Sequence, residues 1–319
     1  MPTVERRRLP GLLADTLRIL AVAVAYWGTG QLGLLLSVTV EGATVTPLWP
    51  PTGIAVAALL WLGLRVWPGI TLGAYLSIES ISDFDAVDTG ILVGNTLAPV
   101  CAYLLLRRVG FRLEIDRLRD GLALVFLGGL LPMLVSASIG TSMLVVTGDL
   151  PRGDFWSVWS AWWAGDAMGV LLVTPVLLVL PRLSMPADPY RSGEAVLLLA
   201  ACGAATTVAA YSNLSMLFLV FPVLIWASVR FQLAGGAPCA LLVSVVAIHA
   251  ATDQSGPFAD HTLFEIMVNL QALNGSAALT VLLLSALVAE QNNIRLRIEQ
   301  VCEELAEVVE RLTPRRPKD

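Results

Sequence analysis

The sequence predicts an all-α, polytopic transmembrane helical bundle of about ten spans, and three observations support this prediction. Of the 319 residues, 56% are hydrophobic and only 14% are charged. Soluble domains carry roughly 25% charged residues, whereas apolar stretches of about 20 residues are typical of transmembrane helices. Long apolar segments recur along the whole chain, and the basic residues collect in alternate connections between them.

Ten apolar segments can be delimited, and they divide the chain into regions. They are 12–36, 48–64, 66–80, 88–106, 120–147, 155–180, 194–211, 214–229, 233–251 and 263–289. Because the second, third and eighth are short for a hydrocarbon core of about 30 Å, an eight-span variant with one re-entrant hairpin stays open. We expect an N-terminal tail over 1–11, a membrane domain over 12–289, a cytoplasmic helix over 290–312 and a tail over 313–319.

The connections also predict the orientation of the chain. Short cytoplasmic loops collect Lys and Arg, so both termini are expected in the cytoplasm. The opposite side receives mainly acidic residues, and Arg152 is the exception there. Arg65 and Arg230 lie in tight turns beside the short segments and favour full crossings. The cytoplasmic set is Arg6, Arg7, Arg8, Arg65, Arg107, Arg108, Arg112, Arg117, Arg119, Arg182, Arg191, Arg230, Arg295 and Arg297.

Asp166 is the central candidate for a ligand-binding residue. It lies in the apolar segment 155–180, where a carboxylate costs at least about 2.5 kcal/mol and by default marks a functional site. At 1.5 Å per residue, Asp166 and Asn274 each lie about 16 Å into their spans and Asn95 about 10 Å into its own. Gln271 and Asn274 share one helix face. We therefore predict that Asp166 faces Gln271 or Asn274, with Asn95 nearby.

Three further residues are candidates for the same site. Trp162 and Trp163 precede Asp166 and could pack against a ligand ring or cation, and Glu79 at the outer end of the third span could line an entrance. Each has a structural alternative. For Trp162 and Trp163 this is ordinary helix packing, and for Glu79 it is solvation at the membrane interface. Asn95 and Gln271 have one as well, since polar residues in membrane bundles often serve only as interhelical hydrogen bonds of about 0.6 kcal/mol. These structural roles are the simpler interpretation for all five residues.

The segment beyond the last span predicts a signalling helix that dimerises. Ala289–Leu312 contains no Gly or Pro, so it should continue the last span as one rod. Its apolar residues recur at spacings of four and three, which is the heptad seam of a coiled coil. A homodimer is therefore expected. The seam residues are Ile294, Ile298, Val301, Leu305, Val308 and Leu312.

Catalytic, metal and cofactor motifs are not evident in the sequence. The four cysteines have no paired spacing, and His249 and His261 lack the spacing of a metal site. No Ser/His/Asp order, HExxH or CxxC is found, so neither an enzyme nor a metal, cofactor or nucleic-acid partner is predicted. A transporter or permease that uses a midplane carboxylate stays the alternative function.

Five motifs in order give the chain a resemblance to a known family. They are WPPTGIAVAALLWLGLRVWPGITLGAYLS (49–77), GNTLAPVCAYLLLRRVGF (94–111), WWAGDAMGVLLVTPVLL (162–178), FPVLIWASVRFQLAGGAPCALLVS (221–244) and LQALNGSAALTVLLLSALVAEQ (270–291). Over roughly 12–292 the chain resembles the membrane-associated sensor domain, MASE, type one. The resemblance implies an integral sensory module of the bacterial inner membrane, joined by a cytoplasmic helix to histidine kinase, PAS or diguanylate cyclase domains.

The chain differs from that pattern after the helix. The 27 residues that follow Asn292 contain no GGDEF or EAL string and no kinase ATP-binding motif. We therefore expect a sensor that perceives a small ligand or a membrane partner and passes the signal through its last span to the cytoplasmic helix. The output would be a protein in trans, such as a histidine kinase of a two-component system or a diguanylate cyclase.

Overall fold

The protein is almost entirely helical. The computed structural model describes residues 8–35, 37–40, 43–81, 84–182, 189–212, 214 and 216–312. The helices are α1 (Arg8–Leu34), α2 (Pro50–Leu62), α3 (Trp67–Glu79), α4 (Ala86–Arg108), α5 (Leu118–Ala123), α6 (Leu131–Thr147), α7 (Phe155–Met168), α8 (Thr174–Val179), α9 (Pro189–Tyr211), α10 (Val220–Thr252) and α11 (Leu263–Leu312). Within the described residues, each predicted apolar segment is mainly helical.

Six helical stretches in the described part of the chain are long and apolar enough to cross a membrane. They are Ala86–Arg108, Leu118–Thr147, Arg152–Arg182, Tyr190–Tyr211, Leu217–Thr252 and Leu263–Val309. A helix needs about 20 residues to span the hydrocarbon, and α2 is apolar but shorter. The predicted helical membrane bundle is confirmed, while the count of ten crossings and the orientation of the termini stay predictions.

The outside of the bundle is as apolar as its interior. Val146 is 80% exposed and Leu17 67%, and large exposed hydrophobic side chains occur on every long helix. Monomeric soluble proteins seldom expose contiguous apolar surface on this scale. The bundle is therefore built to lie in lipid, where helices satisfy their backbone hydrogen bonds internally.

One short hairpin departs from the predicted all-α fold. Strands β1 (Val38–Val40) and β2 (Ala43–Val45) pair antiparallel, with Val38 opposite Val45. Both strands contain β-branched residues, which favour an extended backbone. The hairpin follows α1 directly and leads into the segment Thr46–Trp49, which approaches the candidate site.

Helix α10 is two helices joined at a sharp break. Gln232 has φ 52° and ψ −142°, which is not helical. A Cβ at Gly236 would lie 2.8 Å from the Ser228 Oγ atom, although eight residues of straight helix advance about 12 Å. The arms 220–231 and 233–252 therefore fold back on each other, as the tight turn predicted beside Arg230 requires.

Two prolines coincide with widened helical turns. The segments Leu124–Leu130 and Gly169–Val173 are π-helical and are followed within two residues by Pro132 and Pro175. A proline inside a helix lacks an N–H and its ring clashes with the preceding turn, and a π-turn accommodates both changes. The two prolines thus make α5–α6 and α7–α8 irregular but continuous.

Glycines allow α7 to approach the chain that precedes α2. A Cβ at Gly165 would overlap the Thr46 carbonyl oxygen, and one at Gly169 would overlap the Trp49 carbonyl oxygen. The Trp49 N–H donates to the Gly165 carbonyl oxygen at 3.0 Å. Small residues four apart let backbones in membrane bundles pack at close range. Gly165 and Gly169 therefore fix segment Thr46–Trp49 beside Asp166.

Helix α11 is one helix of 50 residues, which agrees with the predicted continuous join. The loop before α5 holds it where the apolar sequence ends. The Leu118 N–H donates to Glu290 Oε2 at 2.8 Å, and Asn293 Nδ2 donates to Asp116 Oδ2 at 3.2 Å. Beyond this contact, residues 291–309 are exposed.

We predict that Gly165 in α7 and Gly169 directly after it are needed for stability. Gly165→Ala and Gly169→Ala should each lower the free energy of unfolding by at least about 1–3 kcal/mol, because the new Cβ would overlap fixed backbone. Gly275→Ala is the matched control, since nothing lies within 4 Å of a Cβ there. Tryptophan fluorescence during thermal unfolding in detergent gives the comparison, and equal melting temperatures for all three variants would contradict the close approach.

Candidate ligand-binding site

Asp166 is buried in the bundle and hydrogen-bonded on both carboxylate oxygens. Its side chain is 2% exposed. Thr52 Oγ1 in α2 donates to Oδ1 at 2.7 Å, and Ser136 Oγ in α6 donates to Oδ2 at 2.7 Å. A buried carboxylate is costly unless it is hydrogen-bonded. The two hydroxyls therefore tie three helices to one carboxylate.

Asn95 extends this network to α4. Its Oδ1 position lies 2.9 Å from Ser136 Oγ. The hydroxyl of Ser136 has one hydrogen, which it gives to Asp166, so it can only accept from Asn95. Because amide oxygen and nitrogen are assigned from hydrogen bonding, Asn95 is best described with its NH₂ group toward Ser136. The resulting chain runs from Asn95 through Ser136 and Asp166 to Thr52.

A cavity of about 260 Å³ opens beside this network. It is lined from five helices and the segment before α2. Leu34, Ile81 and Asp88 lie at or beside helix ends, so the mouth is at the end of the bundle where α1 and α3 finish and α4 begins. Asp166 and Asn95 lie deeper. The polar and aromatic lining residues are Tyr26, Thr46, Trp49, Ser77, Asp88, Asn95, Trp162 and Asp166.

The three aromatic residues of the cavity each pack on a glycine. A Cβ would lie 2.7 Å from the Trp162 ring at Gly140, 3.0 Å from the Trp49 ring at Gly33 and 2.6 Å from Tyr26 Cβ at Gly73. The three aromatic side chains can lie this close to α1, α3 and α6 only because these positions are glycines, which have no Cβ. The aromatic walls are thus held close against neighbouring helices, which gives the cavity a fixed shape.

The predicted contact of Asp166 with Gln271 or Asn274 is not the one in the structure. Asp166 bonds Thr52 and Ser136, whereas Gln271 Nε2 donates to the Pro47 carbonyl oxygen at 3.0 Å. Asn274 is fully buried, and its amide has no hydrogen-bond partner among the described residues. The reason is that the segment before α2 reaches both α7 and α11. Gln271 is therefore connected to the site indirectly, through Pro47.

Two of the other predicted residues lie outside the cavity lining. Trp163 Nε1 donates to the Leu130 carbonyl oxygen at 2.8 Å and its ring stacks on Trp159. Its neighbour Trp162 lines the cavity instead, because consecutive helical residues point about 100° apart. Glu79 is the last residue of α3 and is exposed, close to the lining residues Ser77 and Ile78.

The predicted seam lies on the free part of α11. Ile294, Ile298, Val301, Leu305 and Val308 are each about half exposed in the single chain. Leu312 ends the helix, and its side chain lies outside the described residues. The apolar side chains are thus available to a partner helix.

Sequence reasoning missed the residues that hold Asp166. Thr52 and Ser136 are small polar residues in apolar spans, and Asp88 and Tyr26 were not singled out. A signal was present, because a buried carboxylate without a basic neighbour must receive hydrogen bonds from hydroxyls or amides. The sequence does not reveal which hydroxyl among many does so, since that depends on helix packing.

Together, the apolar helical bundle and its apolar outer surface define a membrane-embedded domain, and its cavity contains the buried Asp166 network. A family model named MASE1 matches residues 18–292. The chain belongs to the MASE1 family and is a membrane sensor domain of signal transduction. No curated protein and no solved structure matches the chain.

We predict that the hydroxyl donors stabilise the fold through Asp166. Thr52→Val and Ser136→Ala should each lower the free energy of unfolding by about 1–3 kcal/mol, because each leaves a buried carboxylate oxygen without its donor. Thr207→Val is the control, since that exposed hydroxyl bonds only the Gly203 carbonyl oxygen of its own helix. Unfolding in detergent gives the measurement. In a second comparison, Thr52→Val is introduced into the Asp166→Asn variant, where it should lower the free energy of unfolding by less than in the wild-type domain. An equal loss in both backgrounds would show that the hydroxyl does not act through Asp166.

Proposed function

We propose that this MASE1 domain binds a small molecule in the Asp166 cavity and passes its occupancy to α11. The observation that carries the proposal is that one short segment contacts both parts. Thr52 donates to Asp166, and five residues earlier the Pro47 carbonyl oxygen accepts from Gln271 of α11. A ligand that alters the Asp166 network therefore has a short physical route to the last helix.

Helix α11 is suited to carry that change to the cytoplasm. It continues without a break from Gln271 to the exposed seam at Ile294. A ligand shifts such a system only by its differential affinity for two arrangements. We propose that these are two positions of α11, with the contact between Glu290 and the Leu118 N–H as the point where α11 leaves the bundle.

The topology proposed with this function has ten crossings and cytoplasmic termini in a bacterial inner membrane. Arg65 and Arg230, which lie in or beside the tight turns between the short segments, support full crossings because short cytoplasmic loops collect Arg. The arginine-rich connections support the orientation. In this arrangement the exposed half of α11 meets an output protein in the cytoplasm, such as a histidine kinase or a diguanylate cyclase.

A homodimer through α11 can be tested by cysteine crosslinking in membranes. Val301→Cys and Leu305→Cys, each in a Cys302→Ser background because Cys302 is exposed, should form disulfide-linked dimers. Glu303→Cys lies off the seam and is the control. We expect at least fivefold less dimer at Glu303→Cys. If neither seam position forms a disulfide-linked dimer, or if all three positions form equal amounts of it, the proposed coiled-coil dimer is contradicted.

The proposed transmission from the Asp166 cavity through Pro47 to α11, here called the relay, can be tested with the same crosslinking. Gln271→Ala removes the side chain that binds the Pro47 carbonyl oxygen and should change the crosslinking rate at Leu305→Cys at least twofold. Asn269→Ala is the matched control, because this exposed amide lies on the same helix and removes no contact with Pro47. A rate that is unchanged in Gln271→Ala, or changed equally in Asn269→Ala, would contradict the relay.

A further inference from the structure

The charge of the cavity indicates what kind of ligand it takes. Two carboxylates, Asp88 and Asp166, line it, and its described lining contains no Lys, Arg or His. A carboxylate has about four lone-pair positions, and Asp166 uses two of them for the hydroxyls of Thr52 and Ser136. The site can therefore accept further hydrogen bonds, and an anion would meet uncompensated negative charge.

The walls point to an organic cation. Tyr26, Trp49 and Trp162 line the cavity and are packed on glycines. Aromatic faces attract ammonium groups, by about 2 kcal/mol or more when the groups are desolvated. A divalent metal ion instead needs six or more oxygen ligands or a defined nitrogen and sulfur set. Among the described residues no group of three or more His, Cys, Asp or Glu could hold one.

The positions of the two carboxylates favour a ligand with two separated donor groups. Asp88 and Asn95 lie seven residues apart on α4, about 10 Å along the helix. Asn95 is joined to Asp166 through Ser136. Asp88 lies in the first turn of α4, where its Oδ2 accepts the Asp85 N–H at 3.0 Å. A ligand that donates charge-assisted hydrogen bonds to both Asp88 and Asp166 therefore needs an alkyl chain between its two donors.

We propose that the cavity binds a small organic amine, with one ammonium group at Asp166 between the aromatic walls and, in a linear diamine, the second at Asp88. This inference rests on the proposed ligand-binding function and gives it a chemical class. The ammonium group would donate to Asp166 alongside the two hydroxyls. The alkyl chain would lie along the apolar part of the lining toward the mouth.

The test measures binding of matched probes to the full chain in lipid nanodiscs at pH 7.5 and constant ionic strength. The probes are butylamine, 1,4-diaminobutane, butyrate, sodium chloride and calcium chloride. Binding of each probe is measured by the change in tryptophan fluorescence and in melting temperature. We expect both amines to bind, the diamine at least fivefold tighter. If no amine binds to the folded wild-type domain, or if butyrate or either salt binds as tightly, the proposal fails.

Variants place the amine within the cavity. Asp166→Asn should weaken both amines at least tenfold, and Asp149→Asn, which changes an exposed carboxylate that does not line the cavity, should leave them unchanged. Asp88→Asn should reduce the preference for the diamine while leaving butylamine binding intact. Trp162→Leu gives a second test if Asp166→Asn does not fold, and it should weaken both amines at least threefold. Unchanged amine binding in Asp166→Asn, or in Trp162→Leu if the former does not fold, would place the site elsewhere.

The proposed relay and the proposed ligand class predict different results and can be tested separately. The test compares the crosslinking rate at Leu305→Cys with and without 1,4-diaminobutane. Binding of the amine without any change in crosslinking would leave the ligand class intact and contradict the relay. A crosslinking rate that changes in Asp166→Asn, in a domain that binds no amine, would support the relay and contradict the ligand class.

Discussion

The fold around the candidate site depends on one constraint, the burial of the Asp166 carboxylate in an apolar bundle. Leaving its charge without partners would cost several kcal/mol, so donors must be brought to it. Thr52 and Ser136 supply them from α2 and α6. The segment that leads into α2 can approach α7 only because Gly165 and Gly169 lie beside Asp166, where a Cβ would overlap the carbonyl oxygens of Thr46 and Trp49. The glycines and the hydroxyls thus serve the same carboxylate.

This constraint also explains why the site is connected to the last helix. The chain from Thr46 to Thr52 is held against α7 by the Trp49 N–H and by Thr52, and it presents the Pro47 carbonyl oxygen to Gln271. The cavity, its three fixed aromatic residues and the exposed seam of α11 fit the role of a MASE1 sensor domain better than that of a purely structural bundle.

The helices were predictable from the sequence because apolar length and loop charge report on the membrane directly. The sharp turn beside Arg230 followed from the same signals, and the continuity of α11 followed from the absence of Gly and Pro after the last span. The paired strands Val38–Val40 and Ala43–Val45 were not predicted, since three-residue strands leave almost no periodic pattern. The candidates Asp166, Asn95 and Trp162 line one cavity in the structure, whereas the hydroxyl partners of Asp166 were not predicted. Depth along a helix can be counted from the sequence, whereas rotation and the path of a connecting segment cannot.

The most direct test of the central claim is whether loosening Asp166 moves α11. Spin labels on Cys302 and on Arg108→Cys, both exposed, with Cys101 replaced by Ser, report the distance between α11 and the C-terminal end of α4. We predict that Thr52→Val shifts or broadens this distance distribution by pulsed dipolar spectroscopy, while Thr207→Val leaves it unchanged. An identical distribution in folded Thr52→Val and wild-type domains would contradict the account.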